Sequence, residues 1–418
     1  MHSMTTQDLW FVAPALLCSL LLAQPSTGLA ERARALHRKS PLIDGHNDYP
    51  WALREKAQRD LDKLDIGRPQ PSIMTDIARL RRGGVGGQFW SVYVPVELAG
   101  QAAVTATLEQ IDIVHRMMRK YPETFELART SDDVERIFKQ GKIASLIGME
   151  GGHSIDSSLG ALRMFYQLGA RYLTLTHSRN VPWADSCSDE PILGGLSPFG
   201  EQVVREMNWL GMLVDLSHTS PETMADAIRV SEAPVIFSHS SARTLNDVVR
   251  NVPDDILGSM PKNGGVVMVT FVPGFLSPKV AEWTARQASE QARLKLQFPA
   301  DESAVKAGLA AWDAANPAPR ATVRDAADHI DHIRKVAGID HIGIGGDFDG
   351  ITSVPLGLED VSTYPALTEE LLRRGYTDDD ILKINGLNVL RVMRTAERVA
   401  RSLQSRRAAS PARGQSVN

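Results

Sequence analysis

The chain has 418 residues, 43% hydrophobic and 23% charged, with a formal net charge of −4. That composition excludes a disordered or membrane-embedded protein, and the lack of any basic stripe excludes a nucleic-acid surface. Only Cys18 and Cys187 occur, too few for a thiolate metal site, so any metal must be held by imidazole and carboxylate groups.

The first feature in chain order is the apolar run Leu9 to Ala23. It is shorter than the ~20 residues that span a bilayer. Gly28-Leu29-Ala30 follows, and residues 1–30 are therefore read as an export signal cleaved after Ala30. The run is preceded by Asp8 and by no Lys or Arg; left uncleaved, it would hold the protein at a membrane. Its removal takes Cys18 away, so any homodimer is expected to be non-covalent. Residues 406–418 form a polar, basic tail without the apolar end that a GPI-type anchor requires.

Residues 31–405 read as one domain. Eight short β-rich runs are expected as strands: Pro41–Asp44, Gly86–Val94, Lys142–Met149, Arg171–Thr176, Met212–Leu216, Pro234–Phe237, Gly265–Phe271 and His341–Gly345. Helical patterns lie between them. Val104, Leu108, Ile111, Val114 and Met118 recur at steps of three and four within Gln101–Lys120. Ser197-Pro198 and Ser220-Pro221 mark helix starts, and Gly211 and Gly338 mark helix ends. One long helix is expected over Ile381–Leu403. An Ala- and Gln-rich insertion, Pro278 to Arg320, reads as helical and is placed over the barrel mouth or at an oligomer contact. Eightfold alternation of strand and helix predicts an α/β fold, a (β/α)8 barrel of the TIM type.

The residues that follow each strand carry the chemistry. His46-Asn47-Asp48, Glu150-Gly151-Gly152-His153, His177, His218, His239 and Asp347-Phe348-Asp349 all sit at C-terminal strand ends. In a barrel those ends share one face. Each residue alone has an ordinary explanation as a turn or core group; their common placement does not. His46 and Asp48 are two apart on an extended segment and face the same way. His218 and His239 add two imidazoles, and Glu150 has two oxygens with which to bridge a pair of ions. This donor set suits a binuclear zinc site at the C-terminal face. Two zinc ions about 3.5–4 Å apart can share a hydroxide and polarise a carbonyl. Asp347 follows Gly343-Ile344-Gly345-Gly346 and is placed to carry a proton; Asp349 is read as turn chemistry.

These stretches resemble the membrane dipeptidase (renal dipeptidase) family of the amidohydrolase superfamily. The resemblance rests on Asp44-Gly45-His46-Asn47-Asp48, Gly148-Met149-Glu150-Gly151-Gly152-His153, Leu173 to His177 with Pro182-Trp183-Ala184-Asp185, Asp215-Leu216-Ser217-His218, Phe237 to Ala242, Arg250 to Asp254, and Gly345 to Gly350. It covers about residues 40 to 400. It implies a zinc dipeptidase in which His46 and Asp48 hold one zinc, His218 and His239 the other, and Glu150 bridges them. It also implies that His177 binds the scissile peptide group, that Arg250 binds the substrate carboxylate and that Asp347 moves the proton. Tolerance of a D-residue at the second position and some β-lactam opening are expected on the same basis. Strand four ends in Thr176-His177 with no lysine, which disfavours barrels bridged by a carboxylated lysine. Two other functions remain open at this point: hydrolysis of other small amides such as N-acyl amino acids, and a metal- or peptide-binding barrel without turnover.

Overall fold

The computed structural model describes residues 26–411. Residues 1–25 of the expected signal, Cys18 and residues 412–418 of the expected tail lie outside the described residues. Within them the chain opens with the helix Ser26–Lys39, which runs through the expected cleavage point at Ala30.

Nine strands occur among the described residues: β1 Leu42–Asn47, β2 Val85–Ser91, β3 Phe125–Leu127, β4 Ile143–Glu150, β5 Ala170–Thr174, β6 Leu213–Asp215, β7 Ile236–Phe237, β8 Val266–Val269 and β9 Ile342–Ile344. The order β2-β1-β9-β8-β7-β6-β5-β4 closes through a β2–β4 pairing, and all pairs are parallel. Eight strands thus form the expected barrel. β3 is an addition that the sequence did not suggest, because three residues show no period. It pairs with Ile143–Ser145 of β4, whose opposite edge carries β2. β5 joins β4 only from Ile147 onward, so β3 fills the lower part of that edge.

The expected strands are all present, mostly with shorter ends. Pro234 cannot donate to a ladder, and the Val235 N–H is taken by Asn263 Oδ1 at 2.9 Å, so β7 starts at Ile236. Alternate residues point to the barrel axis. Ile43, Phe89, Leu146, Tyr172, Leu213, Ile236, Val266 and Met268 form one inner cluster. Their neighbours Leu42, Trp90, Ile147, Leu173, Val214, Phe237 and Val267 pack outward against the helices. Burial on both faces is why these strands read as unbroken apolar runs.

The helices form where their signals stand. Gln101–Lys120 and Pro198–Leu210 match the expected bounds, the latter with Ser197 Oγ accepting from Gly200 N and with Gly211 left-handed at its end. The terminal helix is not continuous. Asp378–Leu382 and Asn388–Gln404 are joined by a π-helical turn, Lys383–Leu387. That turn seats Gly386 so closely on Pro41 O and Ile43 that no side chain fits there. The insertion is a helical hairpin, Pro278–Gln297 and Glu302–Ala315. Its two arms are held by Trp283 against Trp312 and by the Trp283 indole donating to Asn316 O at 2.7 Å.

Candidate metal centre and active site

The barrel order brings the ends of β1, β4, β5, β6, β7 and β9 around one mouth. There a cavity of about 390 Å³ is lined by Asp48, Glu150, His177, His218, His239, Arg250 and Asp347, with Trp51, Tyr93, Val272, Phe275, Gly350 and Ile351. His46 lies beneath it, fully buried. All eight side chains selected from the sequence therefore meet in one place. His153 does not join them: its Nε2 donates to Val94 O at 3.1 Å. Asp349 is also turned away, accepting from the backbone N–H of Met74, 275 residues distant, and so ties a remote loop to the mouth.

Local structure explains the aim of each group. Glu150 continues the inward alternation of Ala144, Leu146 and Gly148 along β4. His46 needs more than alternation, since Asp44 faces Gln88 Nε2 and Gly346 N instead of the cup. Between Asp44 and Asn47 the β1–β2 ladder runs three residues against two. This bulge shifts the parity of β1 and turns His46 and Asp48 inward. His218 and Asp347 both adopt the left-handed backbone, with φ of 69° and 62°. Such strain persists only when neighbours enforce it. The His218 carbonyl accepts from Cys187 N at 2.9 Å and Thr176 Oγ1 at 3.0 Å, and Asp347 N donates to His46 O at 3.1 Å. Gly350 is required for space, because a Cβ there would fall on the carboxylates of Asp48 and Asp347.

Glu150 is the hub. Its Oε1 lies 3.0 Å from His218 Nε2, 3.4 Å from His239 Nε2 and 3.6 Å from His177 Nε2. Its Oε2 lies 3.4 Å from His46 Nε2, which is 3.3 Å from Asp48 Oδ2. Burial alone would raise the Glu150 pKa, but His46, His177 and the hydrogen-bonded imidazoles hold it well below the usual carboxylate range. Burial is opposed at His46 too, where Tyr172, Glu150 and Asp48 push the pKa up. Burial lowers His218 and His239, helped by Arg250 and His177 at the first and by His46 at the second. Neutral His218 and His239 beside an ionised Glu150 are in the protonation states that ligate metal, whereas His46, whose carboxylate neighbours favour its charged form, has to give up a proton to do so.

The donor set fits a metal. Three groups, His46/Glu150/His239, Glu150/His177/His218 and His46/Asp48/Asp347, each place their ligand atoms within 4.8 Å of one another. His218 Nε2 and His239 Nε2 face each other at 3.0 Å, and His46 Nε2 is buried without a hydrogen-bond partner. Two opposed imidazole nitrogens and the unpaired His46 Nε2, all next to carboxylates, form a donor set that a cation between them would satisfy.

The barrel carries its ligand residues within a chain that matches the model of Membrane dipeptidase (Peptidase family M19) over residues 30–407. The chain belongs to the membrane dipeptidase family. Dipeptidase 3 of Mus musculus is 44% identical over 376 residues, 89% of this chain and 67% of that protein. Dipeptidase 3 of Rattus norvegicus is 44% identical over the same length, 68% of that protein. Among solved structures, the probable dipeptidase PvdM from Pseudomonas aeruginosa superposes with a TM-score of 0.77 at 27% identity, over 90% of this chain and 100% of that one. A metallopeptidase from Rhodobacter sphaeroides, liganded with a phosphinate mimic of the dipeptide L-Ala-D-Ala, shares the fold with a TM-score of 0.71 at 24% identity, over 85% and 99% of the two chains. This membrane dipeptidase relative is thus a metallo-dipeptidase, a hydrolase with a metal-binding His/Glu cluster at the mouth of a TIM-like barrel, and dipeptides are the substrates its family implies.

Sequence reasoning missed the apolar half of the cavity. Trp51 and Tyr93 meet edge to face at 5.0 Å, Tyr93 lies against His177 at 4.8 Å, and Phe275 lies under the Arg250 guanidinium at 5.3 Å. Trp51 lies in the first turn of the helix Tyr49–Ala57, Tyr93 in the loop after β2 and Phe275 in the short helix Pro273–Leu276; only their position a few residues beyond a strand end could have marked them.

Proposed function

We propose that the cup holds two zinc ions and hydrolyses dipeptides bound by their free carboxylate. The observation that carries this reading is the division at Glu150: one oxygen faces His46 and the other faces His177, His218 and His239. His46 with Asp48 would hold one ion, His218 with His239 the second, and Glu150 would serve both. Bound there, zinc supplies Lewis acidity toward the scissile carbonyl and lowers the pKa of water toward ~7.

The remaining work falls to side chains of this chain. Arg250 is buried, and among the described residues no carboxylate pairs with it; only Ser240 Oγ and His239 O accept from it, both at 3.4 Å. A planar donor fork left in this state grips a substrate carboxylate with two parallel bonds. His177 has its pKa lowered by burial, and its Nε2 side opens on the cavity, where it would donate to the carbonyl oxygen as charge develops. Burial, then Asp48 and Glu150, hold the Asp347 carboxyl well above the usual range, against the pull of His46. Asp347 therefore favours keeping a proton, which it would deliver to the leaving amine.

The L-Ala-D-Ala mimic on the Rhodobacter sphaeroides relative supports a D-residue at the second position. The apolar run Leu9 to Ala23 supports export. N-acyl amino acids present the same carboxylate to Arg250, so the test is one panel: Gly-, Ala- and Leu-containing dipeptides, L-Ala-D-Ala, and N-acyl amino acids, with zinc measured on the same sample. Dipeptide turnover at least tenfold above N-acyl turnover is expected; the reverse order would replace this substrate assignment.

A further inference from the structure

Each ligand imidazole must present one nitrogen lone pair to a metal, so something has to hold the proton on its other nitrogen. The three candidate ligands are served unequally. His46 Nδ1 lies 2.9 Å from the Tyr172 hydroxyl, which itself donates to Gly45 O. His218 Nδ1 is buried with no hydrogen-bond partner among the described residues. His239 Nδ1 lies 2.8 Å from Ser238 Oγ, and Ser238 Oγ donates to Asp215 Oδ2 at 2.6 Å.

We propose that Asp215 and Ser238 are positioning residues that act in series on His239, fixing its Nδ1–H tautomer and leaving the Nε2 lone pair for a metal. This rests on the two-zinc reading above and deepens it. The direction of the series follows from counting donors. Asp215 is fully buried and accepts four hydrogen bonds: from Thr174 Oγ1 and Ser238 Oγ at Oδ2, and from Ser217 N and Ser238 N at Oδ1. A carboxylate offers about four acceptor sites, so all are used and none is left for a proton. The single Ser238 hydroxyl hydrogen therefore goes to Asp215. Ser238 Oγ can then only accept from His239, whose Nδ1 must carry the hydrogen. Buried carboxylate charge thus reaches the imidazole through one hydroxyl and raises the electron density at Nε2, the atom 3.4 Å from Glu150. The geometry is rigid, because the Asp215–Ser238 contacts also tie the end of β6 to the end of β7.

The arrangement is asymmetric. His239 is backed by a charge, His46 by a neutral phenol and His218 by nothing.

The test compares wild type, Ser238→Ala and Thr174→Val. Thr174→Val removes a donor to the same Asp215 oxygen without breaking the series, and so reports the cost of merely disturbing the Asp215 cluster. Two readouts are taken. Nitrogen-15 imidazole spectra of the metal-free proteins are expected to show His239 as the Nδ1–H tautomer in wild type and Thr174→Val, and a mixture in Ser238→Ala. Zinc affinity, measured by chelator competition, is expected to fall about 10- to 100-fold in Ser238→Ala and by less than threefold in Thr174→Val. An unchanged tautomer in Ser238→Ala, or equal losses of affinity in the two variants, overturns the proposal. Absence of zinc binding by wild type overturns the two-zinc reading instead, and the tautomer spectra still decide whether the series acts on His239.

Discussion

Arg250 separates two kinds of contribution at the level of single residues. The metal ligands would activate any amide within reach, whereas Arg250, in the proposed role, would select those that end in a carboxylate. Among the described residues its guanidinium has no acidic partner, and it rests on Phe275. Removing it forfeits one charge-assisted pair, about 1.5–3 kcal/mol, or roughly 10- to 150-fold in kcat/KM. Arg250→Met is expected to show that loss on Ala-Ala, mostly as a higher KM, and little loss on the C-terminal amide of the same dipeptide. Steady-state kinetics on both substrates checks it, and equal losses on the two would remove Arg250 from carboxylate binding. His37 carries a separate prediction, on stability. It is buried between Gly83 O at 3.0 Å and Thr368 Oγ1 at 2.8 Å, and burial lowers its pKa to about 4, against a partial opposing effect of the Gly83 bond. The unfolded chain binds that proton near pH 6.5 and the folded one only near 4, so folding stability falls as pH drops through this window. Between pH 7 and 5 the single group accounts for about 2 kcal/mol. His37→Gln should be less stable at pH 7 yet lose about 2 kcal/mol less than wild type on going to pH 5, as read by urea unfolding at both pH values.

At the scale of elements, the loop over residues 177–196 starts at the cup with His177 and continues without a helix or strand of its own. Its shape depends on Asp185, fully buried, which accepts the backbone N–H groups of Ile192, Leu193, Gly194 and Gly195. The same loop supplies Cys187 N to the strained His218 carbonyl. In Asp185→Asn only one side-chain oxygen remains, and the stranded N–H groups cost about 1–3 kcal/mol each. The expected outcome is proteolysis within residues 188–196 faster by about tenfold or more, with a lower kcat, while the barrel helices keep their circular dichroism; cleavage at the wild-type rate would show that the loop is held otherwise. Elements also mark the limits of sequence reading. Apolar residues at steps of three and four marked Gln101–Lys120, and the Ser197 cap with Gly211 marked Pro198–Leu210, because local signals decide those elements. The β1 bulge, the π turn at Lys383–Leu387 and β3 were not legible, since each is imposed by a partner far along the chain: β2, Pro41 with Ile43, and β4. The convergence of the proposed ligand side chains was legible because barrel topology converts a position at a strand end into a position in space. Asp215 and Ser238 sat inside quoted motifs, but their role depends on how the ends of two strands meet.

For the molecule as a whole, the barrel is a scaffold with a deliberate fault at its mouth. Buried carboxylates, opposed imidazole nitrogens and left-handed His218 and Asp347 all cost stability, and a bound cation offsets much of that cost. A ligand that binds only the folded state stabilises it by about 4 kcal/mol at a thousand times its Kd. Chelation is therefore expected to lower Tm by several degrees, with recovery on adding zinc; a Tm that does not respond to chelator would place the metal outside the folding equilibrium.

The proposed hydrolysis needs two metal ions that share Glu150. The most direct measurement is reconstitution: metal-free protein is titrated with zinc, and dipeptide turnover is recorded against zinc bound per chain. Activity should rise to its plateau at two equivalents in wild type and stay absent in Glu150→Gln. A plateau at one equivalent, turnover without metal, or full activity in Glu150→Gln would contradict it.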